Sequence, residues 1–144
     1  MPLKKPDPKE APPLQVLAAV LENNGRWLIA KRRTGDRIAG LWEFPGGKLE
    51  PGETPQECLV RELSEELSIK VRVGRCLGSV ECSLPGFNIV LTAYRATHLA
   101  GELQLQEHEE VRWVPPGEIG HFPLTEPDRL LVEILLAGKT REER

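Results

Sequence analysis

Residues 47–69 read GKLEPGETPQECLVRELSEELSI, a segment that opens on a glycine and closes on a run of leucines and glutamates. Within it, Thr54-Pro55-Gln56-Glu57 has the composition of a helix start: a threonine able to cap free N–H groups, a proline where a missing donor costs nothing, and a glutamate placed to close a capping box. The spacing predicts a helix over residues 55–67. At about 100° per residue, Leu59, Val60, Leu63 and Leu67 fall on one arc, and Glu62, Glu65 and Glu66 share the arc beside it. Like charges three and four residues apart destabilise a helix, more so where water is partly excluded. Hard oxygen ligands on one turn suit Mg2+ or Mn2+, which bind few carboxylates and keep waters or phosphate oxygens. Taken alone, the helix also fits a solvated acidic face.

The segment just upstream, Phe44-Pro45-Gly46-Gly47-Lys48, favours the metal: two glycines let the backbone approach a ligand, and Lys48 adds a phosphate-seeking charge. Further toward the N-terminus, residues 14–21 and 27–30 are apolar runs separated by Glu22-Asn23-Asn24-Gly25, whose Asn-Gly step tolerates positive φ and predicts a hairpin. The first run follows Lys4 and Lys5 as a secretory leader would, but it contains Gln15 and runs into a turn, so it reads as a buried strand. Residues 1–13 carry Pro2, Pro6, Pro8, Pro12 and Pro13 among charges and are expected to form a flexible tail. Residues 34–46 read as a loop with an extended piece at 41–44. Beyond the helix, residues 69–73 and 76–83 look extended, Pro85-Gly86 marks a turn, 88–97 is a strand ended by Gly101, and 110–114 is a short strand stopped by Pro115-Pro116. Residues 125–136 resume helical spacing up to Gly138, with Thr125 as cap and Leu130, Leu131, Ile134 and Leu135 on one face; residues 139–144 are a charged tail. Strands on both sides of a helix, with a second helix at the end, predict an α/β fold in which a mixed β-sheet is sandwiched between α-helices.

A chain of 144 residues suffices for one domain, over 14–138, whose core needs neither disulfides nor a structural metal. Hydrophobic residues at 40%, charged residues at 28% and a mean hydropathy of −0.33 exclude disordered, fibrous and membrane-spanning classes. A net charge of −3 and a pI near 5.7 provide no broad basic field for duplex nucleic acid and leave small anionic substrates. Cys58, Cys76 and Cys82 form no CxxC pair, so neither a disulfide framework nor a zinc site is expected, in keeping with a reducing cytoplasm. His98, His108 and His121 lack ligand spacing and read as surface residues, whereas Trp27, Trp42 and Trp113 read as core.

Residues 47–69 resemble the Nudix box, G-x(5)-E-x(7)-R-E-U-x-E-E-x-G-U with U a bulky aliphatic: Gly47, Glu53, Arg61, Glu62, Leu63, Glu65, Glu66 and Ile69 match. The likeness extends over about residues 16–136 and is nearest to the MutT-like branch, which includes bacterial CTP pyrophosphohydrolases and oxidised-purine nucleotide sanitisers; Gly40-Leu41-Trp42-Glu43-Phe44 is typical of that branch. The resemblance implies the Nudix fold and a Mg2+-dependent pyrophosphohydrolase, with Mn2+ as substitute ion, that converts a nucleoside triphosphate to the monophosphate and pyrophosphate. It further implies that Glu62, Glu65 and Glu66 hold the metal together with the Gly46 carbonyl and Glu107. Glu62 or Glu65 is then the general base, Glu53 joins them in the catalytic set, and Arg61 is structural, orienting loop and helix with Glu53 through its planar fork. Arg33 and Lys48 are implied phosphate or nucleotide contacts. Asp128 falls where MutT-like enzymes place a base-contacting residue, although an acid favoured by the helix dipole is the plain alternative. Ser68 stands where the family has glycine, at a left-handed helix cap, and should cost about 1 kcal/mol there. The implied partner is a small nucleotide, with no duplex nucleic acid or membrane, for a cytoplasmic monomer or homodimer. The alternatives are a Nudix hydrolase of another nucleoside diphosphate-linked substrate and a non-catalytic Nudix-like recognition module.

Overall fold

The computed structural model describes residues 11–33, 35 and 40–142. Strands β1 (Leu14–Asn23) and β2 (Arg26–Arg32) form the expected hairpin, antiparallel at Glu22–Trp27 and Asn23–Arg26. Asn24 and Gly25 take φ of 53° and 75°, the left-handed pair that lets a two-residue turn follow the twist of its strands. Next in the chain come β3 (Trp42–Glu43), β4 (Gly46–Lys48), α1 (Pro55–Leu67), β5 (Lys70–Leu84), β6 (Phe87–Ala100) and β7 (His108–Val114). A 3-10 turn over Pro116–His121 and helix α2 (Glu126–Glu142) complete the order.

Strand β1 is the centre of the sheet. One edge lies parallel to β6, from Leu14 opposite Ile89 to Leu21 opposite Ala96, and β5 pairs antiparallel beyond it. The other edge takes β4 antiparallel, with Leu17 opposite Gly47, before the chain turns into β2, which is flanked by β3 and β7. The sheet is therefore mixed and covered on both faces. Because side chains alternate along a strand, Leu17, Ala19 and Leu21 share one core cluster with Cys58, Leu59, Leu63 and Leu67 of α1, while Ala18 and Val20 share the other with Leu131, Val132 and Leu135 of α2. This is why residues 17–21 are apolar without alternation: each face has its own helix. Each fully buried leucine of α1 contributes about 1.5–3 kcal/mol to holding the helix on the sheet.

Several elements depart from the sequence expectation. The extended pieces at 69–73 and 76–83 are one strand, β5, whose register shifts near Cys76 and Gly78; bulges bend it where periodicity suggested a break. Val60 lies 38% exposed at the edge of the α1 stripe, where Cys58 is buried instead, and Ile134 is 42% exposed beside the α2 stripe of Leu131, Val132 and Leu135. Helix α2 passes Gly138 and runs to Glu142, since nothing in Gly-Lys-Thr-Arg-Glu forces a stop. Residues 46–48, read as loop and glycine turn, are strand β4. His108 is buried rather than at the surface, because β7 begins two residues earlier than expected. Trp27 and Trp42 are core, and Trp113 packs partly buried against the α1 cluster. The tail over residues 1–10 and most of the loop at 34–39 lie outside the described residues. Among the described residues no helix is long and apolar enough to cross a membrane.

Candidate active site

Helix α1 begins as its sequence dictates. The Thr54 hydroxyl accepts from the Glu57 N–H at 3.1 Å and the Glu57 carboxylate from the Thr54 N–H at 3.0 Å, with Pro55 at the first position. It ends at Ser68, which adopts the left-handed conformation (φ 58°, ψ 31°) and donates its N–H to the Ser64 carbonyl. These two caps fix where the carboxylates of the helix stand.

The two glycines are required by close approach. A side chain on Gly46 would meet the Leu17 carbonyl oxygen at 2.0 Å, and one on Gly47 would meet the Glu62 carboxylate at 2.4–2.6 Å. Strand β4 is thus pressed between β1 on one side and the metal-type face of α1 on the other. Glu66, 4% exposed, accepts the Gly46 N–H on Oε2 at 3.0 Å. Burial pushes its carboxyl up to about 9, with Glu62, Glu43 and Glu107 adding repulsion against the opposing Gly46 bond. Burial also raises the Glu62 carboxyl; Arg61 opposes this and Glu65 and Glu107 reinforce it. Glu65, on the solvent side with 54% exposure, lies 3.5 Å from Arg61 Nη1.

Arg61 organises the loop before the helix. Its Nε and Nη2 donate to Glu53 at 2.8 and 3.0 Å, Nη1 donates to Glu62 at 2.9 Å, and Nη2 reaches the Lys48 carbonyl at 3.3 Å. The fork holds the Glu53 carboxyl down at about 2. Glu53 is therefore turned to Arg61, on the loop side of the carboxylate cluster. The buried Cys58 thiol, 3.4 Å from the Lys48 carbonyl, is pushed up to about 12 by burial, which holds it in the protonated form as a packing residue.

Glu107 arrives from the loop between β6 and β7. That loop satisfies carbonyls that the end of α1 leaves open: the Gln104 N–H donates to Leu67 at 3.0 Å and the Gln106 N–H to Glu66 at 3.1 Å. A cavity of about 250 Å3 is lined by Gly46, Gly47, Lys48, Glu66 and Glu107, and also by Glu43, His108 and Asp128. Glu62 and Glu65 stand outside that wall. A larger groove of about 560 Å3, shared at Arg32, Glu43, Lys48 and Asp128, is apolar, with Leu14, Val16, Leu41, Phe87, Ile89 and Leu91 in its wall.

Of the sequence-predicted residues, Gly46, Glu62, Glu66, Glu107 and Lys48 are brought together; Glu65 borders them and Glu53 supports them through Arg61. Arg33 lines neither cavity and donates from Nη2 to the Gln106 carbonyl at 2.7 Å. Asp128 lines both cavities, yet its carboxylate also accepts the Phe44 N–H at 2.9 Å and the Thr125 hydroxyl. Burial raises its carboxyl to about 7, against the opposing bonds from Thr125 and Phe44. Sequence reasoning missed the Arg32–Glu43–His108 chain, in which Arg32 Nη1 and His108 Nε2 each donate to Glu43 at 2.9 Å. The available signal was Glu43 itself, a charge between Trp42 and Phe44 that must point to a second environment.

The donor set fits a hard divalent cation: clustered carboxylates, two with raised proton affinity, around main chain that only glycine permits. Among the described residues no three acidic, His or Cys side chains close a ligand set by themselves. Main-chain, water and substrate oxygens would then complete a shell, as suits an ion that binds few carboxylates.

Residues 11–133 match the NUDIX domain. The chain is 40% identical over 124 residues to the CTP pyrophosphohydrolase of Escherichia coli (strain K12), covering 86% of this chain and 92% of that protein. It is 32% identical over 102 residues to the 8-oxo-dGTP diphosphatase of the same organism, covering 70% and 79%. Among solved structures, it resembles the E. coli ORF135 protein (TM-score 0.81, 39% identity, 89% and 91% covered) and the MutT protein from Methanosarcina mazei Go1 (TM-score 0.81, 25% identity, 94% and 99% covered).

Proposed function

The chain belongs to the Nudix family and is a hydrolase acting on nucleotides, and we propose that its reaction is the hydrolysis of a nucleoside triphosphate to the monophosphate and pyrophosphate in the presence of Mg2+. The observation that carries this reading is the adjacency of two unlike spaces: a small acid-lined cavity beside α1 and a larger apolar groove share Arg32, Glu43, Lys48 and Asp128 in their walls. A polyphosphate bridged to the carboxylates through cations suits the first, and a nucleobase suits the second.

Glu62, Glu66 and Glu107, with the exposed Glu65, would hold Mg2+, or Mn2+ in its place. The bound ions would neutralise phosphate oxygens and lower the pKa of water. Glu62 or Glu65 takes the proton from the attacking water, Glu65 from the solvent side and Glu62 from beside Gly47. Arg61 holds Glu62 in place by a bond that Glu53 anchors from the other end. Lys48, exposed at the junction of the two spaces, meets the phosphate chain. Asp128 and Glu43 line the groove, and a second lone pair on a carboxylate oxygen already bonded within the protein would favour a base edge that donates, such as the exocyclic amine of cytosine. The relatives named for CTP and 8-oxo-dGTP support a cytidine or oxidised-purine nucleotide and a role in cleansing the nucleotide pool.

The test is a screen of nucleoside triphosphates with phosphate and pyrophosphate detected separately. Equimolar monophosphate and pyrophosphate are expected, strictly dependent on added Mg2+; orthophosphate without pyrophosphate would reject the assignment.

A further inference from the structure

We propose that Gln106, clamped by Arg33 and Ser68, is a positioning residue that presents Glu107 to the carboxylate face of α1; the inference rests on reading that face as a divalent-metal site. Gln106 is held at three points. Its N–H donates to the Glu66 carbonyl at 3.1 Å, its side-chain Nε2 to the Ser68 hydroxyl at 3.2 Å, and its own carbonyl accepts from Arg33 Nη2 at 2.7 Å. On the other side of Glu107, His108 is 4% exposed and pinned through Nε2 to Glu43. Glu107 therefore sits between two anchored neighbours, and its main chain gives up little freedom when its carboxylate engages a ligand. All three bonds tie Gln106 to the elements that carry the rest of the site: those to Glu66 and Ser68 reach the end of α1, and that from Arg33 reaches the residue just past β2.

Ser68 gives the clamp its separate signature. Its φ of 58° is a conformation for which glycine is the residue of least cost, so a residue serving only as helix cap would be improved by glycine. Serine accepts the backbone cost and keeps a hydroxyl that reaches Gln106. Stability and site geometry thus pull in opposite directions at one position, and a substitution there separates them.

The experiment compares wild type with Ser68→Gly, Arg33→Ala and Ser68→Asn, the last tolerating the left-handed backbone while keeping an acceptor oxygen. Three quantities are read in nucleotide-free protein: the melting temperature, the exchange rate of the Gln106 amide, and the Mn2+ dissociation constant from water proton relaxation. Ser68→Gly should melt at or above the wild-type temperature, yet exchange Gln106 faster and bind Mn2+ about three- to tenfold more weakly, the range set by losing one hydrogen bond. Arg33→Ala should weaken Mn2+ binding in the same range, and Ser68→Asn should restore the Ser68→Gly loss. Unchanged Mn2+ affinity in both Ser68→Gly and Arg33→Ala overturns the positioning role, whatever the melting temperature does. A wild type that binds no Mn2+ rejects the metal reading instead, and unchanged Gln106 exchange in both variants then overturns the clamp on its own.

Discussion

Gly47→Ala should separate activity from stability. The added Cβ would lie 2.4 Å from Cδ of Glu62 and 2.5 and 2.6 Å from its carboxylate oxygens, whereas ordinary contact begins near 3.4 Å. The carboxylate must retreat by roughly 0.9 Å. It can do so cheaply, because it is the end of a flexible side chain and Gly47 is not in a left-handed conformation, so the stability change should stay within about 1 kcal/mol. The site cannot absorb the same shift: a displacement of about 1 Å in a catalytic or positioning group typically costs about a hundredfold in rate, or about 2.7 kcal/mol of barrier. Gly46→Ala is the contrasting control, since its Cβ would meet the Leu17 carbonyl at 2.0 Å in the buried backbone of β1, which has nowhere to move. That variant should lose about 3 kcal/mol or more of stability. Thermal melts by circular dichroism, beside steady-state pyrophosphate release from the best nucleoside triphosphate of the screen, read both quantities. A Gly47→Ala enzyme within about threefold of wild-type turnover, or one that melts as early as Gly46→Ala, would refute the placement of Glu62 against this glycine.

Glu65→Gln should leave the melt unchanged, since the side chain is 54% exposed, and lower turnover by at least about a hundredfold, measured by steady-state hydrolysis. Glu66 folds with its carboxyl raised to about 9, so in metal-free protein it takes up a proton on folding, and stability is lost as pH rises from its ordinary value near 4.5 toward 9. Glu66→Gln should remove that slope and raise the metal-free melting temperature at pH 8 while abolishing turnover, and Mg2+ should stabilise the wild type but not the variant. Asp128→Ala leaves the Phe44 N–H without its acceptor and should cost about 1–3 kcal/mol in a denaturant melt. It should also narrow the preference in kcat/KM for the best nucleotide of the screen over one with a different base; equal falls for both nucleotides would leave Asp128 a helix-cap residue only. In labelled-oxygen water the label should appear in pyrophosphate, reporting attack at the β phosphorus, and its appearance in the monophosphate would place attack at the α phosphorus.

What residues 47–69 carry is local, and local chemistry is legible in sequence. The left-handed end at Ser68 was implied by the resemblance, which places glycine there, and the capping box at Thr54 and Glu57 and the three glutamates on one arc follow from spacing along a single helix. The same holds for the Asn24-Gly25 turn and for β1, whose unbroken apolar run requires a helix on each face. Long-range pairing decided the rest. That β1 lies parallel to β6, that Gly46 and Gly47 form a strand wedged between β1 and Glu62, and that β5 continues through bulges depend on partners distant in the chain, which leave no periodicity behind. His108 looked like a surface histidine because nothing near it in sequence discloses Glu43, 65 residues away, and Arg33 looked like a phosphate contact because its charge discloses nothing of the Gln106 carbonyl, 73 residues away. Sequence by itself determined the carboxylate cluster and the helix that bears it, because helical geometry fixes neighbours three and four residues apart; only the tertiary structure decided which acidic groups share a cavity, because that depends on where the loop carrying Glu107 docks on the open carbonyls of α1.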